Sequence, residues 1–230
     1  MCGRYMLTSP VEAIRQTFGV EAGFNLGARY NIAPGQQIPI IRLGKAAREL
    51  VMAEWGLVPS WMKEKPTSKL MINARAETVT EKPSFRAAFA RRRCLIPANG
   101  FYEWQKTRHG KIPMLIHLDE GKLFAFAGIW EAWWGPDGDE LLETTALLTR
   151  PAISKLMPVH DRMPIMLAEA DMGLWLGEEN IAPGEVLPRL RQRPDDEISF
   201  YAVSRLVNNV ANDDARLIEE GPETRQGELI

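Results

Sequence analysis

A cysteine follows the initiator methionine in Met1-Cys2-Gly3-Arg4, and that placement offers a particular chemistry. Removal of Met1 would leave Cys2 with an α-amine and a thiol on adjacent carbons, a 1,2-aminothiol. An α-amine ordinarily titrates at about 7.7–8.0, so ~10–20% of it is a neutral nucleophile at pH 7; a lysine, at about 10.4, is almost wholly protonated. An aldehyde can form an imine at this amine, and the thiol can then close a five-membered thiazolidine. Both nucleophiles sit in one residue, so the second attack is intramolecular. Gly3 puts no side chain in the way, and Arg4 adds a fixed positive charge two residues on. The bland alternative is an incidental cysteine beside a loose terminus.

Proton-handling groups for such chemistry are few. The chain has three histidines, His109, His117 and His160. His109 falls in a turn and His117 on a strand. His160 lies in an irregular stretch between Pro158 and Pro164, followed directly by Asp161 and Arg162, and it can titrate near neutral pH. Glu103 sits between Tyr102 and Trp104. In an aromatic strand it either faces solvent or occupies an apolar pocket, where it suits a general acid or base. Asn73 and Arg75 are two apart, so an extended segment puts them on one face. An amide beside a guanidinium suits a phosphate, and equally an ordinary surface.

The elements that must hold these groups are mostly strands. Ser9-Pro10-Val11-Glu12 predicts a helix start, with Ser9 as cap, Pro10 at the first position and Glu12 closing a capping box. Val11, Ile14 and Phe18 follow at helical spacing, and Gly19 ends the helix. Gln37–Arg42 and Glu49–Trp55 form a predicted strand pair. A short helix from Pro83 ends in Arg91-Arg92-Arg93, which suits either a helix C-terminus or a phosphate. From Cys94 to Thr149 the pattern predicts a β-meander with turns at Arg108-His109-Gly110, Asp119-Glu120-Gly121 and Gly135–Gly138. Such short connections argue for a barrel or sandwich, not a parallel sheet. Helices at 153–156, 168–176 and 185–192 and a last strand at 198–203 complete the chain.

Composition sets the outer bounds. The chain has 230 residues, 45% hydrophobic and 25% charged, with net charge −2; this is ordinary for a soluble globule and gives no global electrostatic argument for nucleic acid. No run approaches the ~20 apolar residues of a membrane span, and no secretory signal is expected. Two cysteines, Cys2 and Cys94, make neither a disulfide framework nor a metal-ligand spacing. A reducing, cytoplasmic setting is expected.

Six motifs then stand in order: Met-Cys-Gly-Arg at 1–4, Arg-Tyr-Asn-Ile-Ala-Pro at 29–34, Trp-Gly-Leu-Val-Pro-Ser-Trp at 55–61, Ile-Asn-Ala-Arg-Ala-Glu-Thr at 72–78, Cys-Leu-Ile-Pro-Ala-Asn-Gly-Phe-Tyr-Glu-Trp at 94–104 and His-Asp-Arg-Met-Pro at 160–164. Together they resemble the SRAP family, the SOS-response-associated peptidases or abasic-site processing proteins. The resemblance, which runs from Cys2 to about Asn209, implies an α+β domain with a β-rich, barrel-like core and peripheral helices; the domain is expected over residues 1–218, and the end, 219–230, is expected to be disordered. The resemblance also implies a basic channel for single-stranded DNA and an abasic site as substrate, whose ring-opened sugar presents an aldehyde. By position, Cys2 corresponds to the crosslinking residue, Asn73 to the group positioning the N-terminus and sugar, Glu103 to an acid/base, and His160 to the group assisting ring opening. Gly3, Arg4, Trp61, Arg75, Arg86, Thr149 and Arg162 become the DNA-contacting set. Met62 stands where some relatives carry a second aromatic after Trp61. A monomer without cofactor or metal, associated with the nucleoid when on DNA, is expected. Two other readings stay open: a cysteine peptidase using Cys2 and His160, self-processing included, and a non-catalytic single-strand binder.

Overall fold

The computed structural model describes residues 2–21, 24–138, 140–179 and 181–221. In chain order, Tyr5–Leu7 is β1, Val11–Phe18 α1, Arg29–Ile32 β2, Gln37–Leu43 β3, Arg48–Trp55 β4 and Asn73–Arg75 β5. Arg86–Arg91 is α2, Arg93–Ala98 β6, Gly100–Thr107 β7, Gly110–Leu118 β8, Phe124–Trp134 β9 and Leu141–Pro151 β10. Arg162–Pro164 is β11, Met166–Leu167 β12, Met172–Leu176 α3, Pro183–Arg189 α4 and Ile198–Ala202 β13. The expected α+β class with a barrel core and peripheral helices is what the chain adopts.

The barrel runs β10-β4-β3-β6-β9 and closes through β9 onto β10. Closure removes the exposed edges that an open sheet would leave. A second, five-stranded sheet runs β13-β8-β7-β1-β2. The predicted meander is therefore divided. β6, β9 and β10 belong to the barrel, while β7 and β8 form a hairpin in the other sheet. The chain changes sheets at Asn99, which is buried. Its Oδ1 accepts from the backbone N–H groups of Thr8 (2.9 Å) and Ser9 (3.0 Å), and its Nδ2 donates to Ser9 Oγ (2.9 Å). The same contacts explain the lost capping box. Ser9 is tied to Asn99, and α1 starts after Pro10 with no side-chain cap. Gly19 does end α1, at φ 63°, where a Cβ is penalised. Pairing also departs from the antiparallel expectation at β10, which takes both β4 and β5 in parallel.

Alternation with period two packs the second sheet on both faces. Tyr5, Phe101 and Ile116 belong to the main core; Met6, Tyr102 and Leu115 face a smaller cluster with Val203, Val207 and Leu217. The segment after β13 is thereby held on the outer face, with Tyr201 Oη donating to Ile218 O at 2.7 Å. Glu220 bridges Val203, and Gly221 N–H donates to Ala202 O at 2.7 Å, so pairing continues past residue 218. The rest of the expected tail, 222–230, lies outside the described residues.

Under the N-terminal strand is an aromatic cluster. Tyr5 meets Trp55 at 5.4 Å and Phe126 at 5.9 Å, edge to face, and Phe126 meets Phe124 at 5.1 Å and Phe101 at 5.9 Å. Such pairs add about 0.5–1.5 kcal/mol each beyond area burial, and they fix the floor on which β1 lies. Close packing continues at Gly128, where a Cβ would stand 2.8 Å from both Cys94 Sγ and Ile96 Cδ1. Gly128→Ala should therefore destabilise the fold by about 1–3 kcal/mol, lowering Tm by roughly 2–10 °C in a thermal melt. An unchanged Tm would mean that β6 and β9 separate to admit the methyl.

Candidate functional site

The N-terminal residues are clamped at the rim between the two sheets. Tyr5 pairs with Phe101 on β7 and with Ile32 on β2, and Tyr102 N–H donates to Arg4 O at 2.9 Å. Continuing that antiparallel register puts Glu103 opposite Gly3, beside Cys2. On the other side Asn73 Nδ2 donates to Cys2 O at 2.8 Å. Asn73 reaches this position because β5 lies parallel to β10, with Asn73 beside Leu147 and Arg75 beside Thr149. Ala74 between them is buried, so Asn73 and Arg75 share the outward face expected of an extended segment. Asn73 Oδ1 is buried and has no hydrogen-bond partner among the described residues, which leaves one acceptor for a ligand or a terminal amine.

Cys2 is fully buried, and its Sγ donates to Arg4 O at 3.7 Å. Burial pushes the thiol well above its usual range, and the Glu103 carboxylate pushes it further the same way. The thiol is therefore protonated at neutral pH. Glu103 is itself 4% exposed: of the two sequence alternatives, pocket and solvent face, the structure has the pocket. Cys94, the other cysteine, is buried against Thr145 Oγ1 at 3.6 Å, with its thiol pushed up to about 12 by burial. That is an inert core residue.

His160 follows a short 3-10 turn, Ser154–Leu156, and its N–H donates to Leu156 O at 3.0 Å. Its Nδ1 faces two groups. Arg162 N–H donates to it at 3.0 Å, and Asp161 Oδ1 lies 2.9 Å away. The first contact needs the lone pair of a neutral ring and the second a ring proton. The imidazole thus has a partner in either protonation state, which suits a group that passes protons.

The residues expected to touch DNA are placed unevenly. Arg75 and Arg86 are exposed, and Trp61 is 63% exposed, the most of any large apolar residue described. Trp133 Nε1 donates to Met62 O at 2.8 Å, which anchors the loop that presents Trp61. Gly3 is half-buried. Arg4 is engaged internally: its Nη1 donates to Asn31 Oδ1 at 2.7 Å and to Val207 O at 2.8 Å, and its guanidinium lies 6.0 Å from the Trp104 ring. Arg162 donates to both carboxylate oxygens of Glu77 at 2.9 Å and to Thr149 O at 2.8 Å. Thr149 is fully buried behind it. The neighbouring arginines of the triple run are structural in these contacts. Arg92 pairs with Glu131 at 2.6 Å, and Arg93 donates to Trp175 O and Phe89 O.

Sequence reasoning assigned no role to Asn31, which is buried with Nδ2 directed at Val207 O, Asn209 O and Asn212 O, at 2.8–3.2 Å. It locks the C-terminal segment against Arg4. Its only signal was membership of the Arg-Tyr-Asn-Ile-Ala-Pro motif. Among the described residues no group of three or more His, Cys, Asp or Glu could hold a metal ion, and no helix is long and apolar enough to cross a membrane.

Comparison with known proteins agrees with this architecture. The family model described as SOS response associated peptidase (SRAP) matches residues 1–210. The chain is 40% identical over 224 residues to "Abasic site processing protein YoqW" of Bacillus subtilis, covering 95% of this chain and 99% of that protein. It is 32% identical over 215 residues to "Abasic site processing protein HMCES" of Gallus gallus, covering 80% of this chain but 63% of that longer protein. A solved structure of a Bacteroides thetaiotaomicron protein superposes with a TM-score of 0.86 at 24% identity, over 96% of this chain and 100% of the other; that likeness is one of fold.

Proposed function

The chain belongs to the SOS response associated peptidase family, and from that premise we propose that it processes abasic sites in single-stranded DNA by forming a covalent crosslink through Cys2. The observation that carries this reading is the clamp on Cys2: its carbonyl is held by Asn73 at 2.8 Å, and strand pairing sets the buried Glu103 opposite Gly3, the next residue. One residue with two adjacent nucleophiles is fixed beside an acid/base group. The names of the relatives supply the electrophile, since an abasic deoxyribose opens to an aldehyde.

Once Met1 is removed, the Cys2 α-amine adds to C1 of the open sugar, and the carbinolamine loses water to give an imine. The Sγ–H proton passes to Glu103 as sulfur attacks the imine carbon, and the imine nitrogen takes up a proton. The product is a thiazolidine plus one water. His160 moves the proton that opens the sugar ring. Arg75, Arg86 and Arg162 hold phosphates, Arg4 sits beside the reacting residue, and Trp61 stacks on a base, a contact worth about 1–3 kcal/mol. The lesion offers no base at the site, so less stacking must be broken there than at an intact nucleotide.

The peptidase reading asks more of the same thiol. A cysteine peptidase attacks with a thiolate, and both burial and Glu103 hold Cys2 protonated. In the crosslinking route the amine attacks first, and the thiol adds to an already activated carbon.

A labelled single-stranded oligonucleotide with one abasic site tests the proposal on a denaturing gel. A slower band should form without any reductant, and an undamaged oligonucleotide should give none. At sub-saturating DNA the rate should fall with salt, with a slope of about −0.7 per phosphate held. No retained band from protein lacking Met1 would end the covalent reading.

A further inference from the structure

Glu77 lies in the Ile-Asn-Ala-Arg-Ala-Glu-Thr stretch with Asn73 and Arg75, and its geometry is specific. Its two carboxylate oxygens accept from Nη1 and Nη2 of Arg162, both at 2.9 Å. This is the paired N–H edge that a phosphate would use. From behind, Arg162 Nη2 donates to Thr149 O at 2.8 Å and to Thr149 Oγ1 at 3.2 Å. Thr149 is fully buried in β10. The guanidinium side chain is 13% exposed while the Glu77 carboxylate side is 44% exposed. Glu77 stands in the turn after β5, so of the two partners it is the one free to move outward. Arg75, exposed on the same short stretch, is the other cation that acts on the Glu77 carboxyl.

We propose that Glu77 is a positioning residue that occupies the phosphate-accepting edge of Arg162 and must be displaced by a DNA phosphate. This rests on the reading of Arg162 as a phosphate contact. The pair keeps Arg162 in its docked orientation when no DNA is present. It also weakens the grip on every single strand, because one ion pair is lost for each one gained. A strand that then becomes covalently fixed at Cys2 tolerates that loss; an undamaged strand has only its phosphate contacts and dissociates. Glu77 thereby favours lesion-bearing over intact DNA without touching the lesion.

The test is fluorescence anisotropy of an undamaged single-stranded oligonucleotide over a range of salt concentrations. Glu77→Gln should bind about three- to tenfold more tightly at low salt, and its log K against log salt slope should steepen by up to about 0.7, because no displaced carboxylate is left to take up a cation. Glu77→Asp, with its charge drawn back by one methylene, should give a smaller gain. Glu81→Gln, an exposed carboxylate from the same turn region, measures the generic effect of removing one surface charge. In an Arg162→Gln background the Glu77→Gln gain should shrink to that generic value. If Glu77→Gln matches Glu81→Gln, or binds more weakly than the parent, Glu77 merely supports Arg162 and the proposal is wrong. A parent protein that binds the undamaged strand but never crosslinks abasic DNA overturns the covalent reading and the discrimination built on it, and leaves only the displacement of Glu77 from Arg162 standing. A parent that binds no single strand at any salt overturns both.

Discussion

Replacing Cys2 by serine should lower the yield of crosslink that survives without reductant by at least about a hundredfold. Serine retains the α-amine, so an imine with the abasic aldehyde still forms. What it lacks is the sulfur that closes the ring. Intramolecular closure enjoys an effective molarity far above that of any external thiol, and without it the imine returns to aldehyde and amine. Borohydride separates the two steps. With reductant present, Cys2→Ser should give a trapped band; without it, almost none. The side chain change is small, and Sγ makes only a weak contact to Arg4 O at 3.7 Å, so the fold should be little disturbed. Equal bands for serine and cysteine without reductant would mean that the sulfur takes no part.

Glu103→Gln should slow single-turnover crosslinking by about 10²- to 10⁴-fold at saturating DNA, the usual range for losing a positioned acid/base. The variant is informative because its two effects oppose each other. The Glu103 carboxylate raises the Cys2 thiol further above its usual range; a neutral amide there removes that push and lets the thiol ionise more readily. Were thiolate supply all that mattered, Glu103→Gln would react faster. Should proton transfer through the carboxylate matter, it reacts more slowly although its thiol is the more acidic. Titrating the thiol with a maleimide alongside the crosslinking rate reads both effects in one protein. A faster crosslink in the variant would remove Glu103 from the proton path.

Much of the site was legible because its pieces lie within short motifs. Asn73 and Arg75 share a face by strand geometry alone, and the structure has them so on β5. The barrel and its hairpins follow from strand runs separated by Gly- and Asp-rich turns. What could not be read depends on partners far away in the chain. Ser9 has every local feature of a helix cap, yet Asn99, ninety residues on, takes it. The change of sheet between β6 and β7 leaves no mark, since β6 and the first half of β7 are both buried residue after residue and read alike. Arg4 looked like a free cation two residues from the thiol. Its partners, Asn31 and Val207, come from 27 and 203 residues away. Thr149 gave no sign of being buried beneath Arg162, and Glu77 gave no sign of sitting on that arginine's outer edge.

Intact mass spectrometry of the purified protein, alone and after incubation with a single-stranded oligonucleotide carrying one abasic site, tests the central claim most directly. The account predicts a protein lighter by one methionine residue, followed by a species heavier by the oligonucleotide less one water, with the modification mapping to Cys2. Protein that lacks Met1, keeps a reduced thiol and still gains no mass would contradict it.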